Sequence, residues 1–112
     1  MKRVTFKAGD HLYSQGDKAT KAYLLLEGEV AFFLGSKRVF DVSREAFFGD
    51  LHLFDEGDYP ATAVAATDAI ALSFTKDQLL DYLMDSREAL TKYLGYLGSR
   101  LEEIVLLHES RE

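Results

Sequence analysis

Hydrophobic and polar residues alternate in short runs over the first two thirds of the chain, and turn residues separate these runs. Gly, Asp and Ser recur about every 8–12 residues, which is typical of a β-sandwich or barrel. Gly35-Ser36 predicts a tight hairpin turn, and Thr67-Asp68 predicts a turn that joins a final strand pair. The pattern predicts strands over residues 3–6, 11–14, 22–26, 30–34, 37–42, 62–66 and 69–74.

The last third of the chain follows helical spacing instead. Thr75, with Gln78 three residues later, is a capping-box signature and predicts a short helix over 75–84. Residues 85–88 repeat the signature and predict a longer helix over 87–109. Apolar residues on this helix form a heptad seam, which we expect to pack against a second copy of the chain. The alternative is that the seam packs on the sheet as part of the core. The seam residues are Leu90, Leu94, Leu97, Leu101 and Ile104.

The two patterns together predict a mainly β fold. Residues 1–74 are expected to form a jelly roll, or double-stranded β-helix, of about eight strands, and two C-terminal α-helices follow it. The length of 112 residues fits one domain, at about 100–200 residues per domain. We therefore expect residues 1–112 to form a single domain.

Composition excludes several classes of function. The 19 acidic and 13 basic residues give a net charge of −6, which argues against direct contact with nucleic acid. There is no cysteine, and His11, His52 and His108 are scattered, so no metal site and no cofactor is expected. No nucleophile elbow or phosphate-binding loop motif occurs, so we expect no catalytic residue and no enzyme.

No part of the sequence suggests a targeting signal or a membrane segment. The first residues contain no apolar core of a signal peptide. The longest apolar runs are far shorter than the ~20 residues that a bilayer-spanning helix needs. The absence of cysteine fits a reducing compartment. A cytoplasmic location without membrane contact is therefore expected.

A glycine-anchored segment in the middle of the chain carries the clearest functional signal. Residues 48–53 read Phe-Gly-Asp-Leu-His-Leu, and residues 60–64 read Pro-Ala-Thr-Ala-Val. This segment resembles the phosphate-binding cassette of the cyclic-nucleotide-binding domain family, which includes CRP/FNR-type regulators and protein kinase A regulatory subunits. Residues 6–10, 15–17 and 23–30 resemble earlier segments of the same family, so the resemblance extends over nearly the whole chain.

The resemblance implies a ligand-binding site around this cassette. Backbone N–H groups of a short helix after Gly49 would face a cyclic phosphate. Asp50 takes the place of the family's glutamate, which accepts a hydrogen bond from the ribose; the alternative for Asp50 is a turn or helix-cap role. The expected ligand-binding residues are Gly49, Asp50, Leu51, His52, Pro60, Ala61 and Thr62.

The arginine that the family uses to bind the phosphate is missing. Its place falls on Pro60, and a one-residue slip of the alignment gives Tyr59 or Ala61. Between residues 44 and 87, Lys76 is the only lysine or arginine. Losing such a buried, charge-assisted hydrogen bond costs about 2–5 kcal/mol. The same stretch contains four carboxylates near the expected phosphate site, those of Asp50, Asp55, Glu56 and Asp58.

These features predict a regulatory or sensory module that does not bind cyclic nucleotide conventionally and forms a homodimer through its long helix. The resemblance also implies a small-molecule effector and a protein partner, and the sequence identifies neither of them. In one alternative the chain is a genuine cAMP or cGMP receptor in which His52 or Thr62 contacts the phosphate. If it is not a receptor, His52 fills the pocket and Thr62 serves only to stabilise its strand. In another alternative, the chain is a sensor fragment of a CRP/FNR-type transcription regulator whose DNA-binding domain is absent from this sequence.

Overall fold

A computed structural model of the protein describes residues 1–50, 53–54, 56–95 and 97. The fold is mainly β, as predicted: eight strands form two four-stranded antiparallel sheets, and two helices follow. Residues Met1–Leu79 form one compact unit, and a second begins at Leu80. The expectation of a single domain over residues 1–112 stays a prediction.

The eight strands divide evenly between the sheets. The strands are β1 (Lys2–Phe6), β2 (His11–Tyr13), β3 (Ala22–Glu27), β4 (Val30–Leu34), β5 (Lys37–Val42), β6 (Phe47–Phe48), β7 (Thr62–Ala65) and β8 (Ala69–Phe74). One sheet has the order β1-β8-β3-β6, and the other has the order β2-β7-β4-β5. Seven strands lie within one or two residues of their predicted bounds. The two-residue strand β6 was not predicted, because it is too short to show an alternating pattern.

The predicted hairpin around Gly35-Ser36 is confirmed, since Leu34 pairs with Lys37 across that turn.

The predicted final strand pair is wrong. Strand β7 pairs with β2 and β4, whereas β8 pairs with β1 and β3 in the other sheet. Thr67 and Asp68 instead accept hydrogen bonds from the backbone N–H groups of Glu29 and Ala8, over 3.0 and 2.9 Å. Their side chains thus satisfy neighbouring turns while the chain crosses between the sheets.

The core lies between the two sheets, where aromatic rings pack against alanines. Tyr23 stacks on Phe48 with ring centroids 5.3 Å apart, and Phe32 meets Phe48 edge-on at 5.5 Å. Small residues on the facing strands leave room for these rings. Each fully buried phenylalanine contributes about 1.5–3 kcal/mol of hydrophobic stabilisation. The buried alanines of this core cluster are Ala61, Ala63, Ala65, Ala69 and Ala71.

Helix α1 (Lys76–Asp85) begins as its sequence predicts. The N–H of Gln78 donates to Thr75 Oγ1 over 3.3 Å, and the N–H of Thr75 donates to Gln78 Oε1 over 3.0 Å. These two bonds are the capping box. Phe74 and Leu79, on either side of the cap, are both fully buried. The helix lies one residue later than predicted at each end.

A second helix, α2, begins at residue 87, and residues 87–95 are helical. Its predicted capping box is only half correct: Ala89 N–H donates to Ser86 Oγ over 3.1 Å, whereas Glu88 pairs with Lys92 at 3.2 Å. Ser86 is therefore the cap, which places Ala89 where the box requires Glu or Gln. No helix within the described ranges is long and apolar enough to cross a membrane.

The predicted heptad seam on α2 is described only in its first part. Leu90 and Leu97 are half-buried, and Leu94 is 57% exposed. Leu101 and Ile104 lie outside the described residues, as does the predicted end of the helix at residue 109. The role of the seam as a dimer interface stays a prediction.

Candidate functional site

The cassette begins where β6 ends. Phe48 pairs with Tyr23 of β3, and Gly49 then turns the chain with a φ of 76°. A Cβ atom at Gly49 would lie 3.2 Å from the carbonyl oxygen of Lys21 and 3.2 Å from the ring of Tyr13. The positive φ and the close approach both favour glycine here. Gly49 thus brings the start of the cassette against the segment that leads into β3.

Asp50 lies deep in the structure. It is 1% exposed and has interaction partners within the fold. Its carbonyl oxygen accepts a hydrogen bond from Leu53 N–H over 3.2 Å, which forms a turn after Gly49. A carboxylate this buried is stable only when polar groups compensate for the lost water. Leu51 and His52, which the sequence places in the site, lie outside the described residues.

The second arm of the cassette, residues 57–62, lies against the segment between β2 and β3. Ala19 N–H donates to the carbonyl oxygen of Gly57 over 3.0 Å. Tyr59 N–H donates to the carbonyl oxygen of Asp17 over 2.8 Å, and its own carbonyl oxygen accepts from Gly16 N–H over 3.0 Å. These bonds form a short backbone ladder that fixes this arm on residues 16–19.

Tyr59 connects this arm to the aromatic core. Its hydroxyl donates to the carbonyl oxygen of Lys21 over 2.7 Å and accepts from Lys21 N–H over 3.0 Å. Its ring stacks on Tyr13 with centroids 3.7 Å apart and planes 9° apart. Neither tyrosine was selected as a site residue from the sequence. The sequence feature that could have marked Tyr59 is its place next to Pro60, where the resemblance predicts an arginine.

Pro60, which the sequence resemblance assigns to the arginine position, faces solvent. The residues on either side of it are buried, with Tyr59 5% and Ala61 8% exposed. The interior positions of this stretch are thus occupied by an aromatic ring and a methyl group. The structure brings Gly49 and Tyr59 together, because a Cβ at Gly49 would lie 3.5 Å from the Tyr59 ring.

Thr62 has a structural hydrogen bond. Its Oγ1 accepts from Gln15 N–H over 2.9 Å, and Gln15 Oε1 in turn accepts from Gly35 N–H over 2.9 Å. This chain of bonds joins the end of the cassette to the β2–β3 segment and to the β4–β5 turn.

The charged side chains that line one cleft beside the cassette balance one another. A cleft of about 290 Å³ lies beside the cassette, and Leu53 contributes to its wall. Two lysines and two carboxylates line it, so it has no excess of positive charge. No group of histidines and carboxylates within the described ranges is arranged to hold a metal ion. The charged residues of the cleft are Lys18, Glu56, Lys76 and Asp77.

Comparisons with known proteins agree with this architecture. The sequence model described as "Cyclic nucleotide-binding domain" matches residues 3–86. A cAMP-dependent protein kinase regulatory subunit from Hypocrea atroviridis is 31% identical over 105 residues, covering 92% of this chain and 22% of that protein. A CRP-like cAMP-activated global transcriptional regulator from Mycobacterium tuberculosis is 25% identical over 103 residues, covering 88% of this chain and 46% of that protein.

The same architecture occurs in a solved structure. The crystal structure of the Thermus thermophilus Catabolite Activator Protein superposes with a TM-score of 0.81 and 26% identity, covering 96% of this chain and 53% of that one. The fold is that of the cyclic nucleotide-binding regulatory domains. The chain belongs to the cyclic nucleotide-binding domain family. It spans less than half the length of the two curated relatives above.

Proposed function

We propose that this chain is a regulatory module of the cyclic nucleotide-binding fold whose cassette does not bind cyclic nucleotide in the family's usual way. The observation that carries this proposal is Pro60 at the position of the phosphate-binding arginine. Proline has no cationic group and no backbone N–H, so it offers a phosphate neither charge nor a hydrogen bond.

The surroundings of Pro60 support the proposal. A one-residue shift of the alignment puts Tyr59 or Ala61 in the arginine position, and both side chains are buried and uncharged. Asp50 and Asp58 add negative charge to the same cassette. A phosphate entering this environment loses its water without gaining a guanidinium, which disfavours binding by about 2–5 kcal/mol. This equals roughly 30- to several-thousand-fold in affinity.

The proposed ligand-binding surface consists of Gly49, Asp50, Ala61 and Thr62 with Leu51 and His52. Gly49 turns the backbone with a positive φ, and Asp50 is buried. The resemblance assigns Asp50 to the position whose carboxylate accepts a hydrogen bond from the ribose. These two residues favour a second candidate function, a genuine cAMP or cGMP receptor that uses backbone N–H groups for the phosphate. Crystals soaked in cAMP distinguish the two, since electron density between Asp50 and Ala61 supports the receptor.

We further propose that the module forms a homodimer through the helix that begins at residue 87. Leu94 is 57% exposed, and with Leu90 and Leu97 it has the heptad spacing by which helices pair. An effector or protein partner acts by favouring one of two helix arrangements, which requires different affinities for the two. In a longer protein, the same module serves as the sensor of a CRP/FNR-type regulator.

Isothermal titration calorimetry with cAMP and with cGMP tests the proposal. We expect no dissociation constant tighter than about 10 µM for either nucleotide. The heat signal from an unrelated cyclic-nucleotide-binding protein, measured in the same buffer, verifies the ligand stocks. Binding of either nucleotide by this chain with a dissociation constant tighter than about 10 µM contradicts the proposal and supports the receptor instead.

A further inference from the structure

We propose that Tyr59 is a positioning residue that holds the second arm of the cassette against residues 13–21 without any ligand. This inference rests on the proposed function, because it explains how a cassette that lacks its arginine keeps a defined conformation. The evidence is the set of contacts that Tyr59 makes through its hydroxyl, its ring and its backbone.

The hydroxyl satisfies both backbone groups of one residue. It accepts from Lys21 N–H over 3.0 Å and donates to the Lys21 carbonyl oxygen over 2.7 Å. Lys21 immediately precedes β3, so the bonds tie the cassette to the beginning of a central strand. A phenylalanine at position 59 retains the ring but leaves both groups of Lys21 without this partner.

The ring of Tyr59 joins the two arms of the cassette. It stacks on Tyr13 with centroids 3.7 Å apart, and Tyr13 in turn lies close to Gly49 in the first arm. Stacked aromatic pairs hold their geometry beyond simple burial of area. Through Tyr13 and Tyr59, the beginning and the end of the cassette pack on one surface.

The backbone adds a third set of contacts. Tyr59 exchanges hydrogen bonds with Asp17 and Gly16 through its own N–H and carbonyl oxygen. Pro60 restricts the residue before it to extended conformations, and an extended backbone is what this ladder requires. Pro60 thereby reduces the entropy that Tyr59 loses on docking. The Tyr59-Pro60 pair stabilises the docked arm by protein contacts alone.

The consequence concerns regulation at this site. A ligand shifts a conformational equilibrium only by its difference in affinity between the two states. An arm that protein contacts hold docked presents the same conformation to a cyclic phosphate before and after binding, so binding does not shift the conformation of the arm. The arm is then a fixed part of the fold, and a response to an effector has to arise elsewhere in the module.

Amide hydrogen exchange followed by NMR tests this role in wild type and two variants. Tyr59→Phe removes the hydroxyl, and Tyr23→Phe is the matched control because Tyr23 is a similarly buried tyrosine of the same aromatic cluster. We expect Tyr59→Phe to accelerate exchange at Gly16, Ala19 and Tyr59 by roughly 5- to 100-fold, the effect of losing two hydrogen bonds. Exchange in β1 and β8 is expected to stay at the wild-type rate.

Three results overturn the proposal: unchanged exchange in the arm, an equal acceleration throughout β1 and β8, or the same arm-specific effect in Tyr23→Phe. If Tyr59→Phe fails to fold, hydrogen exchange in the wild-type protein tests the proposal instead. The proposal then requires the N–H of Lys21 to be protected as strongly as the N–H groups of Gly16, Ala19 and Tyr59. Addition of cAMP is expected to leave the exchange rates of the wild-type arm unchanged. A negative exchange result does not alter the calorimetric measurement of cAMP and cGMP binding. The two proposals can therefore be refuted independently.

Discussion

Tyr13 and Tyr59 stack with their ring planes 9° apart, and this contact joins β2 to the end of the cassette. The two residues are 46 positions apart in the sequence, so the contact forms only when the roll closes. It occurs beside Pro60, where the rest of the family's motif leads one to expect an arginine. The aromatic contact therefore lies beside the position that the resemblance assigns to the phosphate-binding arginine.

Replacing Gly49 with alanine is expected to destabilise the fold by about 1–3 kcal/mol for the backbone strain at φ 76°. The new methyl group also crowds the Lys21 carbonyl oxygen and the Tyr13 ring, both at 3.2 Å. Gly35→Ala is the control, since its φ of 60° is similar but nothing lies within 4 Å. Urea unfolding measures both variants; equal losses of stability contradict the close packing at Gly49.

Stability is expected to fall at alkaline pH through Tyr23. Burial, with a smaller contribution from nearby Tyr59, raises the pKa of Tyr23 from 10.0 to about 12. Above pH 10 the unfolded chain loses the Tyr23 proton while the folded chain keeps it, so stability decreases between about pH 10 and 12. Urea unfolding from pH 8 to 11 should show a shallower decrease in Tyr23→Phe. Identical pH profiles for the two proteins rule out this role.

The homodimer prediction depends on the seam of α2. Leu97→Glu places a charge among apolar seam residues, where burial without a partner is costly. We expect sedimentation equilibrium to give a dimer for wild type and a monomer for Leu97→Glu. Thr91→Glu, at an exposed position off the seam, is expected to keep the dimer. A monomer mass for the wild-type protein contradicts the prediction.

The sequence predicts most of the roll because its strands are bounded by turn residues and show a clear alternation. Gly35-Ser36 and the Thr75 cap are local signals, and both act as predicted. The pairing of β7 was mispredicted because Thr67 and Asp68 resemble a hairpin turn. Only the contacts to Glu29 and Ala8, far away in sequence, reveal the crossing between sheets.

The site was predictable only as far as its motif is local. Gly49 and Asp50 follow from the resemblance, and the structure places them at a tight turn and in a buried position. The contact of Tyr59 with Tyr13 and Lys21 depends on tertiary packing, so no spacing in the sequence signals it. Thr62 appears in the sequence as a strand residue, and its bond to Gln15 also emerges only in the fold.

The most direct test of the central claim restores the missing charge. Calorimetric titration of cAMP into Pro60→Arg, with Pro60→Gln as an uncharged control, measures what the arginine contributes at this position. We predict that Pro60→Arg binds cAMP roughly 30-fold or more tightly than the wild-type chain, whereas Pro60→Gln matches wild type. Equal cAMP affinities for the wild-type chain and Pro60→Arg would contradict the account, since the lack of a guanidinium at position 60 would then not be what limits binding.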